Sequence, residues 1–535
     1  MRWEGQYMKA AEAIARCLRE EKIDTVFGYP GAAIGAVYDA IANEGIRHIL
    51  VRHETNGGHS ASGFARVSGR PSVCLATSGP GATNLLTAIA TAYMDSIPVV
   101  FITGQVSTDQ VGRDVFQEAD ITGASEPFIK HSFLIKNVSE IPTVFRKAFH
   151  IAGTGRKGPV LIDIPYDIQN AEIDFSYPEK ISMRSYKPTT KGNKLQIKRI
   201  VEALSDAKRP VICAGGGVLL SSASDVLKEL ATKLDIPVVT TMMGLGAIGG
   251  EHPLSIGMIG NFGSSRANYA VNKCDVIILV GARVGDRAIN SPTFIEKTTK
   301  IIHIDIDPAE IGKNMSVDIP VVGDAGVVLG QLLDASEPMK HTEWREKLSG
   351  MELPEKKYPH TVIEKFSQLA PDAICVADVG QHLIWTANSF SVGEGGRFLA
   401  SGGMGTMGYA IPAAAGAKLA SPDKTVIAFV GDGGFQMSMM EMATLVQNNI
   451  AVKIVVFDNR GLGMVREYQR MAGLKEFAVD LSGGPDYIML AKAYGIEGER
   501  IKEGNDIEKA VRKALSDSGS YILVCEVSPD ERSVL

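Results

Sequence analysis

The chain has 535 residues, 45% of them hydrophobic and 22% charged, with a formal net charge of −6. That length excludes a single small domain and accommodates about three or four cores of ordinary size. The acidic balance excludes a basic footprint for nucleic acid and leaves a small molecule as the expected partner.

Met1 to Glu21 lacks the charged-then-apolar pattern of a secretory leader. No apolar run reaches about 18 residues without charge, so no membrane span is expected. The six cysteines (Cys17, Cys74, Cys213, Cys274, Cys375, Cys525) are scattered, with no Cys-x-x-Cys. They read as buried apolar residues in a reduced compartment, and the cytoplasm is the expected location. A first block runs from about Met8 to Ile173, with short apolar runs at His48–Arg52, Val73–Ala76, Val99–Thr103 and Val160–Ile164. Helical patterns between them predict a parallel sheet with crossover helices. The run from His48 is read as a strand ended by Glu54, and ligands bind at such strand ends. Taken alone, a carboxylate there is more often merely solvated.

The polar segment Ser176 to Lys194 reads as a linker. A second block, Leu195 to Leu333, has strands predicted at Pro210–Ala214, Val238–Thr241, Val276–Val280 and Lys300–Ile306. A second polar stretch, Ser336 to Pro359, separates it from a third block that continues to the C-terminus. No sequence repeat is obvious, although the first and third blocks could share a fold. The expected class is α/β, with three consecutive parallel-sheet domains over residues 1–175, 195–335 and 356–535.

The third block carries the densest signal. The apolar run Thr425–Val430 leads into Gly431-Asp432-Gly433-Gly434, then a helix-like stretch from Met437 to Val446. A second apolar run, Ala451–Phe457, ends at Asp458-Asn459. This is strand, glycine turn, helix, strand. In a parallel sheet Asp432 and Asn459, 27 residues apart, end at the same edge and can share one hard cation. Mg2+ takes oxygen ligands and commonly borrows some from a diphosphate. The glycines let backbone N–H groups approach that diphosphate, and a helix N-terminus favours its charge. A lone Gly-Asp-Gly is usually just a turn; the paired elements carry the argument.

The arrangement resembles the thiamine diphosphate fingerprint, with Asp458-Asn459 where Asn-Asn is usual. Arg52-His53-Glu54 resembles the cofactor-activating motif of the acetohydroxyacid synthase (acetolactate synthase) family, and the resemblance extends over nearly the whole chain. It implies that the Glu54 carboxyl serves the cofactor's pyrimidine nitrogen, a task that needs a dry pocket and a tuned pKa. Gly28–Ile34, which includes Gly31, looks like the glycine turn beside the thiazolium, and Thr77–Asn84 like the next loop. Gly104-Gln105-Val106 and Phe116-Gln117-Glu118 match substrate-side segments. Gly380-Gln381-His382 resembles the diphosphate loop. Gly402–Tyr409, with Gly403, resembles the segment whose methionine, here Met407, bends the cofactor. Gly463-Met464-Val465 follows the metal site, for which the implied ligands are Asp432, Asn459 and Gly461. Singly these loops are plain turns and Met407 a plain core residue. Seven segments in one order from Gly28 to Val465 outweigh that.

In the middle block, Gly215-Gly216-Gly217, Gly257–Gly260, Gly281-Ala282-Arg283, His303–Asp307 (with Asp305) and Gly323-Asp324 resemble the family's FAD contacts, as does Arg156. The implied FAD is structural, not redox-active. Arg287 matches the position that grips the carboxylate of the second 2-oxoacid, for which guanidinium is well shaped. Several positions depart from the family: Tyr468 replaces Trp, Glu467 replaces Gln, Tyr166 replaces Lys, and Val284 and Gly285 replace Phe and Asp. The chain stops at Leu535 without the proline-rich tail.

The resemblance implies decarboxylation of pyruvate and transfer of its two-carbon remnant to a second 2-oxoacid, giving 2-acetolactate for branched-chain amino acid biosynthesis. It implies thiamine diphosphate and Mg2+, a homodimer or homotetramer with the cofactor between subunits, and a possible small regulatory subunit. Two alternatives stand beside it: another thiamine diphosphate-dependent lyase or carboligase, and a non-catalytic cofactor-binding paralogue. The ten histidines include no His-His pair, which argues against a simple decarboxylase. The retained Glu54 argues against a glyoxylate carboligase.

Overall fold

The apolar runs become strands, and the helical patterns become crossovers, in a computed structural model that describes residues 4–289 and 292–534. β1 (Glu4–Lys9) leads into β2 (Thr25–Tyr29), β3 (Arg47–Leu50), β4 (Ser72–Ala76), β5 (Val99–Gln105), β6 (His131–Leu134) and β7 (Val160–Pro165). β8 (Glu172–Ser176) returns to pair antiparallel with β1. The middle sheet comprises β9 (Pro210–Ala214), β10 (Val238–Thr240), β11 (Ser255–Met258), β12 (Val276–Val280), β13 (Lys300–Asp305) and β14 (Ile319–Val322). The third comprises β15 (Ile374–Ala377), β16 (Arg397–Ala400), β17 (Val426–Gly431), β18 (Lys453–Asp458), β19 (Glu497–Ile501) and β20 (Tyr521–Glu526).

Every pairing in these three sheets is parallel. Helices cover both faces, and β4, β5, β7, β9, β12, β17 and β18 are buried along their whole length. Full burial explains why these strands read as continuous apolar runs without alternation. The first sheet has the order β3-β2-β4-β5-β7-β6 and the third β16-β15-β17-β18-β20-β19. Counted from each sheet's own first strand, both are 2-1-3-4-6-5. The first and third blocks therefore do share a fold. The middle sheet runs β11-β10-β9-β12-β13-β14, or 3-2-1-4-5-6, the doubly wound order whose crevice opens between its first and fourth strands.

The helix Glu54–Ser68 of the first domain crosses the helix Ala410–Ala420 of the third. Their facing residues are small. A Cβ on Gly63 would lie 2.0 Å from the Ala413 carbonyl oxygen, and one on Gly416 would lie 1.8 Å from that of Ser60. The backbones touch only because both positions are glycine.

Three local expectations need correction. β3 stops at Leu50, and Glu54 opens a helix instead of ending a strand. His53 makes the difference: its Nδ1 accepts from Thr55 N at 3.3 Å and its carbonyl accepts from Asn56 and Gly57, which turns the chain. The helix expected over Met437–Val446 is two short helices, Asp432–Ser438 and Glu441–Gln447. The polar stretch after Ser336 contains the helix Thr342–Ser349, docked on the middle domain. Trp344 Nε1 donates to the Pro210 carbonyl at 3.2 Å, and Arg345 pairs with Asp235 at 2.9 Å.

Candidate active site

The register of β17 and β18 places Gly431 opposite Phe457, so Asp432 and Asn459 emerge at one edge. Asp432 is only 2% exposed. Its Oδ1 accepts from Gly433 N at 2.8 Å and its Oδ2 from Gly461 N at 2.9 Å. Burial pushes its pKa up to about 6, against the opposing pull of the Gly461 and Gly433 amides. Asn459 is buried, and its Nδ2 donates to Gln381 Oε1 at 3.0 Å. Arg460 adopts the left-handed φ of +55°, the turn that brings the Gly461 amide back to Asp432. Among the described residues no three His, Cys, Asp or Glu side chains converge as a metal cluster. The donors here are one carboxylate and one amide, a set that suits a hard cation completed by diphosphate and water oxygens.

His382 lies beneath this edge. A Cβ on Gly431 would lie 2.9 Å from its Nδ1, and one on Gly380, at φ +151°, 2.7 Å from its Cε1. The ring is buried and its Nε2 has no hydrogen-bond partner. Burial lowers its pKa to about 3, so it is neutral near pH 7. A buried polar atom without a partner is costly, and in the tautomer that carries the proton on Nε2 the ring would donate to an anionic oxygen there. The side chains and glycines present thus fit a diphosphate. Met407 stands close by: its methyl would be 3.2 Å from a Cβ on Gly433. Met464 packs against the third domain's core.

Among the buried carboxylates that the sequence reading did not single out, three tie this site together. Asp378 accepts from Val379 N and Gly408 N at 2.9 Å and from Ala410 N at 2.8 Å, holding the segment that carries Met407. A Cβ on Gly434 would lie 2.5 Å from its Oδ1. Burial pushes its pKa up to about 6. Asp95, from the first domain, accepts from Gly402 N at 3.1 Å and Gly403 N at 2.8 Å. Glu441 accepts from Arg52 N at 2.7 Å and Asn56 Nδ2 at 3.0 Å, and burial raises its pKa. The available signal was a charged residue ending an apolar run, which Asp378 shares with Asp432.

In the first domain Glu54 Oε2 accepts from Asn84 Nδ2 at 2.9 Å. A Cβ on Gly31 would lie 2.5 Å from Thr77, and one on Gly81 3.4 Å from Glu54 Oε1. The structure therefore gathers Gly31, the Thr77–Asn84 loop and Glu54. Gln117, at φ +58°, backs onto Gly79, while Phe116 is 87% exposed. Among the described residues no hydrogen bond or ion pair joins Glu54 to Asp432 or Asn459.

In the middle domain a Cβ on Gly215 would lie 2.1 Å from the Gly281 oxygen, and one on Gly217 2.6 Å from Gly281 Cα. These loops follow β9 and β12, where the strand order reverses. Gly216 faces Met243. Thr240 Oγ1 and His303 Nε2, at or near the ends of β10 and β13, are buried without partners. Asp305 ends β13, and burial raises its pKa to about 6. Glycine cradle and orphaned donors together fit a dinucleotide. Arg283 is half-buried and in the field of Asp95.

Other expected residues have protein partners. Arg156 bonds Asp307 at 3.1 Å, Glu310 at 2.8 Å and Ser96 at 3.0 Å, latching the first domain to the middle one. Asp324 caps the helix Ala325–Ala335 and accepts from Ser221 Oγ at 2.6 Å. Arg287 is exposed and pairs with Asp286 at 3.6 Å. Tyr468 is 67% exposed. The Arg287 carbonyl backs onto Gly260, where a Cβ would lie 2.2 Å from it, but among the described residues no hydrogen bond or ion pair joins the Arg287 or Tyr468 side chain to Glu54, Asp432 or Asn459. No helix among the described residues is long and apolar enough to cross a membrane.

Comparison with known proteins yields three family matches, all described as thiamine pyrophosphate enzyme domains. They are the N-terminal TPP binding domain at residues 8–124, the central domain at 197–332 and the C-terminal TPP binding domain at 378–525. The chain is 45% identical to a probable acetolactate synthase large subunit of Methanocaldococcus jannaschii, covering 98% of this chain and 93% of that protein. It is 42% identical to a probable acetolactate synthase large subunit of Methanococcus aeolicus, covering 98% and 92%. It is also 42% identical to the acetolactate synthase isozyme 3 large subunit of Escherichia coli, covering 97% and 94%.

Proposed function

Because the chain belongs to the acetolactate synthase large-subunit family of thiamine pyrophosphate enzymes, we propose how its three sheets divide that enzyme's work. The activity is a thiamine diphosphate-dependent transfer: pyruvate is decarboxylated and its two-carbon remnant is joined to a second 2-oxoacid. Bound thiamine diphosphate supplies a ring carbon able to take up the electron pair left when CO2 departs.

Residues 356–535 hold the diphosphate end. Asp432, Asn459 and the Gly461 backbone would bind Mg2+, and Gly380, Gln381, His382, Gly431, Gly433 and Gly434 the diphosphate. Met407, with Gly403 and Met464, would wedge the bound molecule into shape. Residues 1–175 supply Glu54, which holds a proton at the pyrimidine nitrogen. Gly31, Phe116 and Gln117 would close over the reacting end and exclude water. Arg287 and Tyr468 would receive the second 2-oxoacid. Residues 195–335 hold FAD without using it for redox chemistry, through Gly215–Gly217, Gly281, Arg283 and Asp305, with Arg156 and Asp324 bracing the surrounding loops.

The observation that carries this reading is the partnerless Nε2 of His382, sunk between Gly380 and Gly431 beside Asp432. Glu54 and Asp432 lack any described bond to each other, and Phe116, Met437 and Tyr468 are exposed. This supports a homodimer or homotetramer in which one chain offers Glu54 to the other's metal edge, with a small regulatory subunit as a possible addition. The test is to purify the protein, record its flavin absorbance, and assay acetolactate from pyruvate with thiamine diphosphate, Mg2+ or both withheld. Full activity without added or co-purified thiamine diphosphate or metal would overturn these assignments.

A further inference from the structure

A carboxamide has a donor end and an acceptor end, and only its neighbours decide which way it faces. Gln381 is buried, and its Nε2 donates to Glu467 Oε2 at 2.8 Å and to the Glu531 carbonyl at 2.7 Å. Both partners can only accept, so both hydrogens of Nε2 are committed. Oε1 must then face the other way, and it accepts from Asn459 Nδ2 at 3.0 Å. With its nitrogen so engaged, Asn459 has its oxygen left for the opposite side. Gly463 leaves room for this pair: a Cβ there would lie 2.1 Å from Gln381 Oε1 and 2.3 Å from Asn459 Nδ2.

The far end of the chain holds the anchor in place. Ser533 N donates to Glu467 Oε2 at 3.0 Å, Trp385 Nε1 donates to the Arg532 carbonyl at 2.8 Å, and Arg466 Nη1 donates to the Pro529 carbonyl at 3.3 Å. Ser533 is 2% exposed. Lys357 pairs with Glu531 at 3.1 Å and Arg470 with Asp530 at 3.0 Å. The segment 529–533 is therefore tied down by both backbone and side chains.

We propose that Glu467 and the C-terminal segment 531–533 act as an acceptor-only anchor that fixes, through Gln381, which end of the Asn459 amide faces the divalent cation. Glu467 is a positioning residue: its carboxylate is engaged by Gln381 Nε2 and Ser533 N, and it acts on the cation through Gln381. This rests on the proposed metal site at Asp432 and Asn459. An oxygen toward the cation binds it, whereas an N–H toward it repels it.

The experiment measures Mn2+ binding to the full-length protein by electron paramagnetic resonance, with saturating thiamine diphosphate and no substrate. Glu467→Lys puts a donor where Gln381 needs an acceptor, so Gln381 can no longer hold its present orientation without an N–H facing an ammonium, and the Asn459 amide is released with it. Groups that orient a metal ligand typically matter by about tenfold or more in affinity, and that loss is expected here. Glu467→Gln can still present an oxygen to Gln381 and should bind Mn2+ as the native chain does. Asp432→Ala is the control for the site itself.

If Glu467→Lys binds Mn2+ normally while Asp432→Ala does not, the anchor has no such role. If Glu467→Gln loses as much as Glu467→Lys, charge or packing at 467 matters and polarity does not, which equally overturns the proposal. If Asp432→Ala also binds normally, the metal-site reading has failed. A purely structural role would lower thermal stability without moving the affinity. Should the lysine variant not fold, Glu467→Met removes the acceptor without reversing charge. The Glu531 carbonyl remains, so about a threefold loss is expected, the scale of one ordinary hydrogen bond, and no loss would refute the anchor.

Discussion

The first and third sheets are wound in the same order, yet their working edges are furnished in opposite ways. At the third sheet the polar groups are sunk: Asp432, Asn459 and His382 are all buried, and Asp432 is held by two backbone amides. At the first, Glu54 is half-buried and accepts a single side-chain hydrogen bond, from Asn84. The contrast follows from the tasks proposed for them. Holding a cation and a diphosphate calls for ligands that cannot move. Passing a proton calls for a carboxyl with lone pairs still free and access to a partner. One winding supplies both edges, and the loops decide between them.

The contrast breaks most visibly at Glu54. Glu54→Gln keeps the shape but cannot give up a proton, so acetolactate formation should fall about 10²–10⁴-fold while thiamine diphosphate affinity, read by calorimetry, is largely kept. Near-native turnover would remove Glu54 from the chemistry. Asp432→Ala should do the reverse. It raises the Mg2+ and thiamine diphosphate concentrations needed for half-maximal activity by about tenfold or more, with partial recovery in excess cofactor. An unchanged cofactor titration would place the metal elsewhere.

A pH titration sharpens the same comparison. The pKa of Asp432 is raised to about 6 by burial, so a proton competes with the cation below that pH. Mg2+ affinity should fall as pH drops from 7 to 5, by up to about tenfold for each unit below the pKa. The sign for metal-free stability is opposite. The folded-state pKa lies above the unfolded value of about 4, so stability contributed by the protonated form is lost as pH rises from about 4 to 6. Thermal melts with and without Mg2+ across that window check both signs, and parallel curves would count against Asp432 as a ligand.

The smallest expected effect concerns the acceptor. Tyr468 is exposed in the single chain and is one of the two residues proposed to receive the second 2-oxoacid. Tyr468→Trp should raise the share of 2-aceto-2-hydroxybutyrate in a pyruvate and 2-oxobutyrate mixture. The scale is one methylene contact, about 1–3 kcal/mol. A product ratio that does not move would remove Tyr468 from the acceptor wall.

Periodicity and turn residues made the parallel α/β class legible, because strands buried on both faces appear as continuous apolar runs. Asp432 and Asn459 stood out as candidates because each directly follows such a run. Glu54 was legible as a residue but not in its setting, since a histidine cap does not announce itself within an apolar stretch. Asp378, Asp95 and Glu441 stayed hidden for a different reason. Their partners are mostly backbone amides, several in distant segments; Asp378 closes an apolar run as Asp432 does, but no local pattern marks Asp95 or Glu441. The reversed winding of the middle sheet was likewise invisible, because strand order is set by which crossovers pack where and not by any one strand.

The crossing of the helices Glu54–Ser68 and Ala410–Ala420 has a consequence for assembly. At Gly63 and Gly416 backbone meets backbone, with carbonyl oxygens within 2.0 Å of where Cβ atoms would be, while Val67 and Leu419 pack to either side of these two points. The two sheets are splinted backbone to backbone. Two absent side chains thus let the Glu54 edge and the Asp432 edge of one chain approach this closely, and whatever completes either edge meets them in that arrangement.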